Sequence, residues 1–167
     1  MISSLAVLGT ILASAGTPST PPAFTKPSEL CRVFEEDGAW GAPTWTDDGF
    51  GNFGCATQFE VGQPGRTGLP SAIQFRAEST SSSEVQRVSI KLSLFNPGTR
   101  ALALKRFKKA IREFFERVKL EPPRDLLPAL DPPRQLQPVR TPYGRVSFAR
   151  DNVNIEAWYV KLELRSR

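Results

Sequence analysis

The apolar period of this chain changes once, sharply, at Asn96-Pro97. Before that point Val88, Ile90, Leu92 and Leu94 alternate with Arg87, Ser89, Lys91 and Ser93, the period of two expected of a strand with one wet face. After it, Leu104, Phe107, Ile111, Phe114 and Val118 recur at steps of three and four, the stripe of a helix that must lie on something. Each element has one apolar side in need of cover, so the pair predicts a sheet packed against a helix. Asn96 reads as the N-cap and Pro97 as a first-turn residue of a helix over about residues 97–119. Lys105, Lys108, Lys109, Arg112 and Lys119 take the side opposite the stripe, with Glu113 and Glu116 in i,i+4 reach of Lys109 and Arg112.

Two more alternating runs precede this pair. Cys55, Thr57, Phe59 and Val61 form one, and Ile73, Phe75 and Ala77 the other, separated by a Gly/Pro turn at 62–70. A Ser-rich turn at 79–83 then leads into the 88–94 strand, so the three read as an antiparallel meander. Upstream, Thr25 is placed to cap a helix starting near Pro27, with Leu30, Cys31, Val33 and Phe34 as its apolar side and Gly38 as its stop. Residues 39–54 form an aromatic, glycine-rich loop in which Trp40, Trp45, Phe50 and Phe53 are expected to pack down. Downstream, Arg124–Leu130 reads as a short helical turn inside a Pro-rich connection. Strands at 145–150 and 153–164, joined by a tight Asp151-Asn152 turn, close the chain. The predicted class is α+β: a single antiparallel sheet of about five strands, in the order α-βββ-α-ββ, with its helices on one face.

The first fifteen residues are of a different kind. Ile2–Ala15 carries no charge and is apolar or small throughout. Fourteen residues of helix reach only about 21 Å, short for a membrane crossing but suited to the apolar region of a secretory signal. Ala13-Ser14-Ala15 matches the small-x-small cleavage pattern, although no basic residue precedes the apolar run. The expected organisation is a signal segment at 1–15, a Pro-rich linker at 16–27 and one domain at 28–165. The alternative is a buried N-terminal helix. In an exported chain the two cysteines read as a Cys31–Cys55 disulfide, the alternative being two buried thiols.

The segment from Glu29-Leu30-Cys31 through the Trp45 loop to Gly54-Cys55 resembles a family of uncharacterised exported proteobacterial domains. The strand Val88-Ser89-Ile90-Lys91-Leu92, the helix after it and the closing hairpin are similar to that family as well, over about residues 28–164. The resemblance implies export and an α+β fold. The family has no assigned activity, so it implies no chemistry.

The inventory of side chains excludes much. There is no histidine, which removes the commonest general base and the commonest transition-metal ligand together. Two cysteines cannot make a four-thiolate metal site. No cofactor, metal site or catalytic set is expected. Asp47-Asp48 in the aromatic loop, with Glu60 as a distant partner, is the one arrangement open to carboxylate chemistry on a polysaccharide, but Asp-Asp-Gly-Phe-Gly-Asn is turn-forming on its own account. Gly49-Phe50-Gly51-Asn52-Phe53-Gly54 lacks the Lys-Ser/Thr ending of a phosphate loop.

Charge is uneven. Residues 1–60 hold two basic and seven acidic side chains, residues 61–167 twenty basic and ten acidic. Such asymmetry fits an anionic partner for the basic part, or an acidic segment lying against a basic body. Lys105, Lys108, Lys109 and Arg112 are therefore the candidate anion-binding residues, and Trp40, Trp45 and Phe50 a candidate aromatic binding loop. The expected role is that of an exported, periplasmic or extracellular, non-catalytic domain that contacts an envelope protein, an anionic polymer or a lipid surface. A small carboxylate-dependent polysaccharide hydrolase is the alternative. Nucleic acid is disfavoured by export, and becomes a partner only if the N-terminal segment is no signal.

Overall fold

A computed structural model describes residues 20–38, 40–151 and 156–164. The expected signal segment and the first part of the expected linker, up to residue 19, lie outside the described residues, as does most of the 151–155 turn.

The three alternating runs form the expected meander. Strands β2 (Phe53–Val61), β3 (Ser71–Ser79) and β4 (Arg87–Leu94) pair antiparallel without a break in register. The closing strands β6 (Gly144–Asp151) and β7 (Glu156–Leu164) pair antiparallel too, and β7 returns to lie beside β4, with Val88 opposite Leu162 and Ile90 opposite Val160. Two short edge strands complete the sheet: β1 (Thr46–Asp47) on β2, and β5 (Leu136–Thr141) on β6. The sheet has seven strands in the order β1-β2-β3-β4-β7-β6-β5, two more than the periodicity predicts. β5 carries no strand signal in the sequence because Pro138 sits inside it, which only an edge strand tolerates. β1 is too short to carry a period at all.

The amphipathic helix is α2 (Arg100–Arg117), and it starts later than expected. Asn96 does cap, its side chain accepting the Gly98 N–H at 3.0 Å, but what it caps is a 3-10 turn over Pro97–Thr99 that leads into α2. At the other end Lys119 takes φ 55°. The Lys119 and Leu120 N–H groups bond back to the Glu116 and Phe115 carbonyls, a Schellman closure built on lysine where glycine is usual. The first helix is only one and a half turns, α1 (Pro27–Cys31), continued by a 3-10 turn at Glu35–Asp37 and stopped by Gly38 in the left-handed conformation. Thr25 does not cap it: its hydroxyl donates to the Pro22 carbonyl, and no side chain caps α1. A further turn, α3 (Leu126–Ala129), lies where a helical turn was expected.

Helices and N-terminal segment share one face of the sheet. Phe107, Ala110, Ile111, Phe114 and Phe115 of α2 are buried, as are Ile73, Phe75, Ile90, Leu92, Phe148 and Val160 beneath them. Ring contacts tie the layers together: Phe114 to Phe75 at 6.1 Å, Phe107 to Phe148 at 6.2 Å, and Phe34 edge-on to Phe75 at 5.5 Å. Leu104, expected in the buried stripe, is only partly buried, at its rim. The disulfide joins Cys31 of α1 to Cys55 of β2, with Cα atoms 5.9 Å apart. It closes a segment that contains Trp40, which stacks on Phe34 at 4.5 Å and on Phe59 at 5.9 Å. The opposite face of the sheet is polar. It is laced by the ion pairs Arg76–Glu78, Lys91–Asp151 and Lys161–Glu163, pairs that stabilise little at such exposure.

Candidate functional site

The three residues of the candidate aromatic binding loop have different surroundings. Trp40 is 8 % exposed and belongs to the core. Trp45 stacks on Phe53 at 6.5 Å and donates its indole N–H to the Ser82 carbonyl at 3.1 Å. Both rings are consumed by packing, as large aromatics with a polar handle usually are. Phe50 does the reverse of what was expected: it is 90 % exposed, at the tip of the turn between β1 and β2. The turn needs its glycines there, Gly49 and Gly51 both having φ above 80°, and the residue between them is pushed outward.

The paired carboxylates of the same turn serve it. Asp47 accepts the Gly49 N–H at 2.7 Å. Asp48 accepts the Phe50 N–H at 2.8 Å and the Asn52 side-chain amide at 2.9 Å. Those bonds, the Asn52 amide first, hold the Asp48 carboxyl below the ordinary aspartate range. A general acid needs the opposite shift, whereas the bonds made by Asp47 and Asp48 stiffen the turn. A polar groove runs from this turn past Arg76, Glu78, Arg87 and Glu163. Its Glu163 carboxylate is likewise held low, mainly by the Lys161 ammonium. Among the described residues no group of three or more acidic or cysteine side chains is placed to hold a metal.

The outward side of α2 is where charge collects. The helix carries seven basic residues against Glu113 and Glu116. Their surroundings differ. Lys108 bonds Asp131 at 3.1 Å, Lys109 bonds Glu113 one turn on, and Arg100 holds Glu156 of β7 at 2.7 and 2.8 Å. Arg106 lies 6.0 Å over the Phe59 ring, and Arg117 reaches the Val33 carbonyl. Lys105 and Arg112 are exposed on the crest between these flanking pairs. Of the four candidate cations, then, Arg112 stands open, Lys108 and Lys109 are engaged, and Lys105 is exposed with Arg106 beside it. Arg106 and Leu102, which share this face, were not singled out in the sequence. A cation one step off the crest and a leucine among lysines give no periodic signal.

Among the described residues, Val33 and Phe34 of the acidic N-terminal part meet the far end of α2 at Arg117, and Phe59 lies under Arg106. The carboxylates Glu29 and Glu35 of that part are taken by Lys26 and Arg32 of the same segment. Acidic segment and basic body do lie together, but among the described residues no ion pair joins Glu29 or Glu35 to α2.

No curated protein and no solved structure matches the chain. One family model does, over residues 12–143, a span from the N-terminal segment to the end of the β5–β6 turn. The chain belongs to DUF6030, a family of unknown function.

Proposed function

We propose that this protein is an exported, non-catalytic binding domain that attaches to an anionic surface or polymer through the outward face of α2. The observation that carries the reading is the crest of α2, where Lys105 and Arg112 stand exposed among five further cations and only two carboxylates. Neutralising several such groups draws polyanions with a steep salt dependence. Export is supported by the Cys31–Cys55 bridge, of a kind that persists in oxidising compartments. No helix among the described residues is long and apolar enough to cross a membrane.

The test is retention of the full chain on a phosphocellulose column. Reversing Lys105, Lys109 and Arg112 to glutamate should abolish retention at low salt. Reversing Arg140, Arg145 and Arg150, which are exposed on β5 and β6, changes net charge equally and should leave most of it. Equal loss from both triple variants would mean that only net charge is read, and that α2 is no site. Retention that survives about 1 M salt, where screening acts within about 3 Å, would show the attraction is not electrostatic.

A further inference from the structure

Three large apolar side chains stand exposed among the described residues: Phe50 at 90 %, Leu69 at 51 % and Leu102 at 46 %. Phe50 is at the β1–β2 end of the sheet. The two leucines are at the other end. Leu69 is on the β2–β3 loop and Leu102 on the first turn of α2, and the two segments are locked together. A Cβ added to Gly62 would sit 2.5 Å from the Thr99 methyl, and one added to Gly65 would sit 2.9 Å from Asn96 Cβ. Asn96 donates its side-chain amide to the Gln63 carbonyl, and Ser71 shares a hydrogen bond with Thr99 at 3.0 Å. The Gly65–Leu69 loop is closed on itself by its own backbone bond. Leu69 is thus carried on a stiff loop pinned against the start of α2.

Helix geometry sets which way Leu102 leans. It falls between Lys105 and Lys109 on one side and Arg106 on the other, and Arg106 lies over Phe59 of β2, so Leu102 is tilted toward the strand from which the Leu69 loop springs. Arg66 is exposed on that loop and Lys105 and Arg106 on the helix. The carboxylates at the same end are spent or turned away. Glu156 is held by Arg100 and Asp151 by Lys91, while Glu60 is on the polar face of the sheet.

From this placement we infer that the end of the molecule formed by the β2–β3 loop and the first turns of α2 docks on an anionic lipid bilayer. Leu69 and Leu102 enter the acyl boundary, and Arg66, Lys105 and Arg106 lie at the headgroups. The inference rests on the anionic-surface reading above and narrows it to lipid. Charge complementarity argues for that occupant. Two leucines with exposed cations on the same segments match the division of an interface, where apolar side chains sink about 5–10 Å and cations are drawn to anionic headgroups. A folded partner would instead call for a larger contiguous apolar patch.

The experiment uses the full chain with a tryptophan introduced at one position at a time: Leu69→Trp, Leu102→Trp, and Phe50→Trp as the control at the opposite end. Each is mixed with vesicles of equal parts phosphatidylcholine and phosphatidylglycerol whose acyl chains are brominated, and quenching is compared with that of the unsubstituted chain. Added quenching at 69 and 102, none at 50, and none on phosphatidylcholine alone is the expected result. No added quenching at 69 and 102, or equal quenching at 50, overturns the lipid inference. If the chain is held by phosphocellulose yet shows no such quenching, the docking surface reads a polymer or a protein, and only this inference falls. If phosphocellulose does not hold it either, the basic-face reading falls with it.

Discussion

Reducing the Cys31–Cys55 bridge should destabilise this protein by an amount the structure sets. The bridged residues are 24 apart in sequence, and closing a loop of that size in the unfolded chain is worth about 3.5 kcal/mol at 25 °C on the chain-entropy account. The native side of the balance should change little. Cys31 is 1 % and Cys55 7 % exposed, and both belong to the core cluster that holds Phe34 and Trp40 and packs against Phe59, so burial of these groups remains when the bond is cut. Against a typical stability of about 5–15 kcal/mol, the reduced protein should therefore stay folded. Urea titration of oxidised and reduced protein, followed by tryptophan emission, measures the difference. With a slope of about 2 kcal/mol per molar, the midpoint should fall by about 1.7 M. Trp40 and Trp45 lie inside the bridged loop and Trp158 in β7 outside it, so one shared transition would show that the loop unfolds with the sheet. A midpoint shift under about 0.5 M would refute the reasoning. It would mean that the unfolded chain already keeps α1 near β2 by itself.

Three further outcomes are expected. Phe107→Ala or Phe114→Ala should each cost about 3–5 kcal/mol in the same titration, since both rings are almost wholly buried between α2 and the sheet, whereas the Lys105, Lys109 and Arg112 reversal should cost under about 1 kcal/mol. Gly144→Ala should cost about 2–4 kcal/mol and weaken the β6–β7 pairing in amide exchange, because the new Cβ would lie 2.1 Å from the Glu163 carbonyl oxygen. Burial raises the Tyr143 phenol above its ordinary value, with the Glu121 charge adding to it and Thr141 opposing. The stability that follows is fully present below the unfolded tyrosine value of about 10 and is lost as pH rises through the higher folded one. Absorbance at alkaline pH should show Tyr143 ionising late, and a Tyr143→Phe variant should lose that late step. A phenol that titrated at the ordinary value would show that the Tyr143 ring is not buried in solution as it is in this structure.

Several parts of this molecule were legible before any fold was known. The change of period at Asn96 placed β4 and α2 and said that they face each other, because burial of one apolar side per element is a local pattern with a global consequence. The same rule found β2, β3, β6 and β7, and the turn chemistry of Asp47–Asn52 announced its role through side chains that bond their own backbone. Tertiary contacts decided what the pattern could not carry. That β7 returns beside β4 and not to an outer edge depends on which strand leaves an unpaired ladder, and no stretch of sequence records that. Pro138 hid β5, since proline is excluded from a strand only where its missing N–H would face a partner. Phe50 and Trp40 belong to the same aromatic loop and look alike on paper. One is thrown outward by two left-handed glycines, and the other stacks on Phe34 and Phe59, rings that belong to different elements. The four lysines and arginines singled out on α2 were visible as a charged face. Which of them stand open depended on Asp131, a residue 23 positions beyond Lys108 that the α3 turn brings back against the helix. Likewise, only folding sets Leu69 and Leu102 at one end of the protein, because the contact of Gly62 with Thr99 joins two segments more than thirty residues apart. Periodicity reports the side of an element that is buried. It does not report which elements meet at an end, and the docking surface proposed here lies at such a meeting.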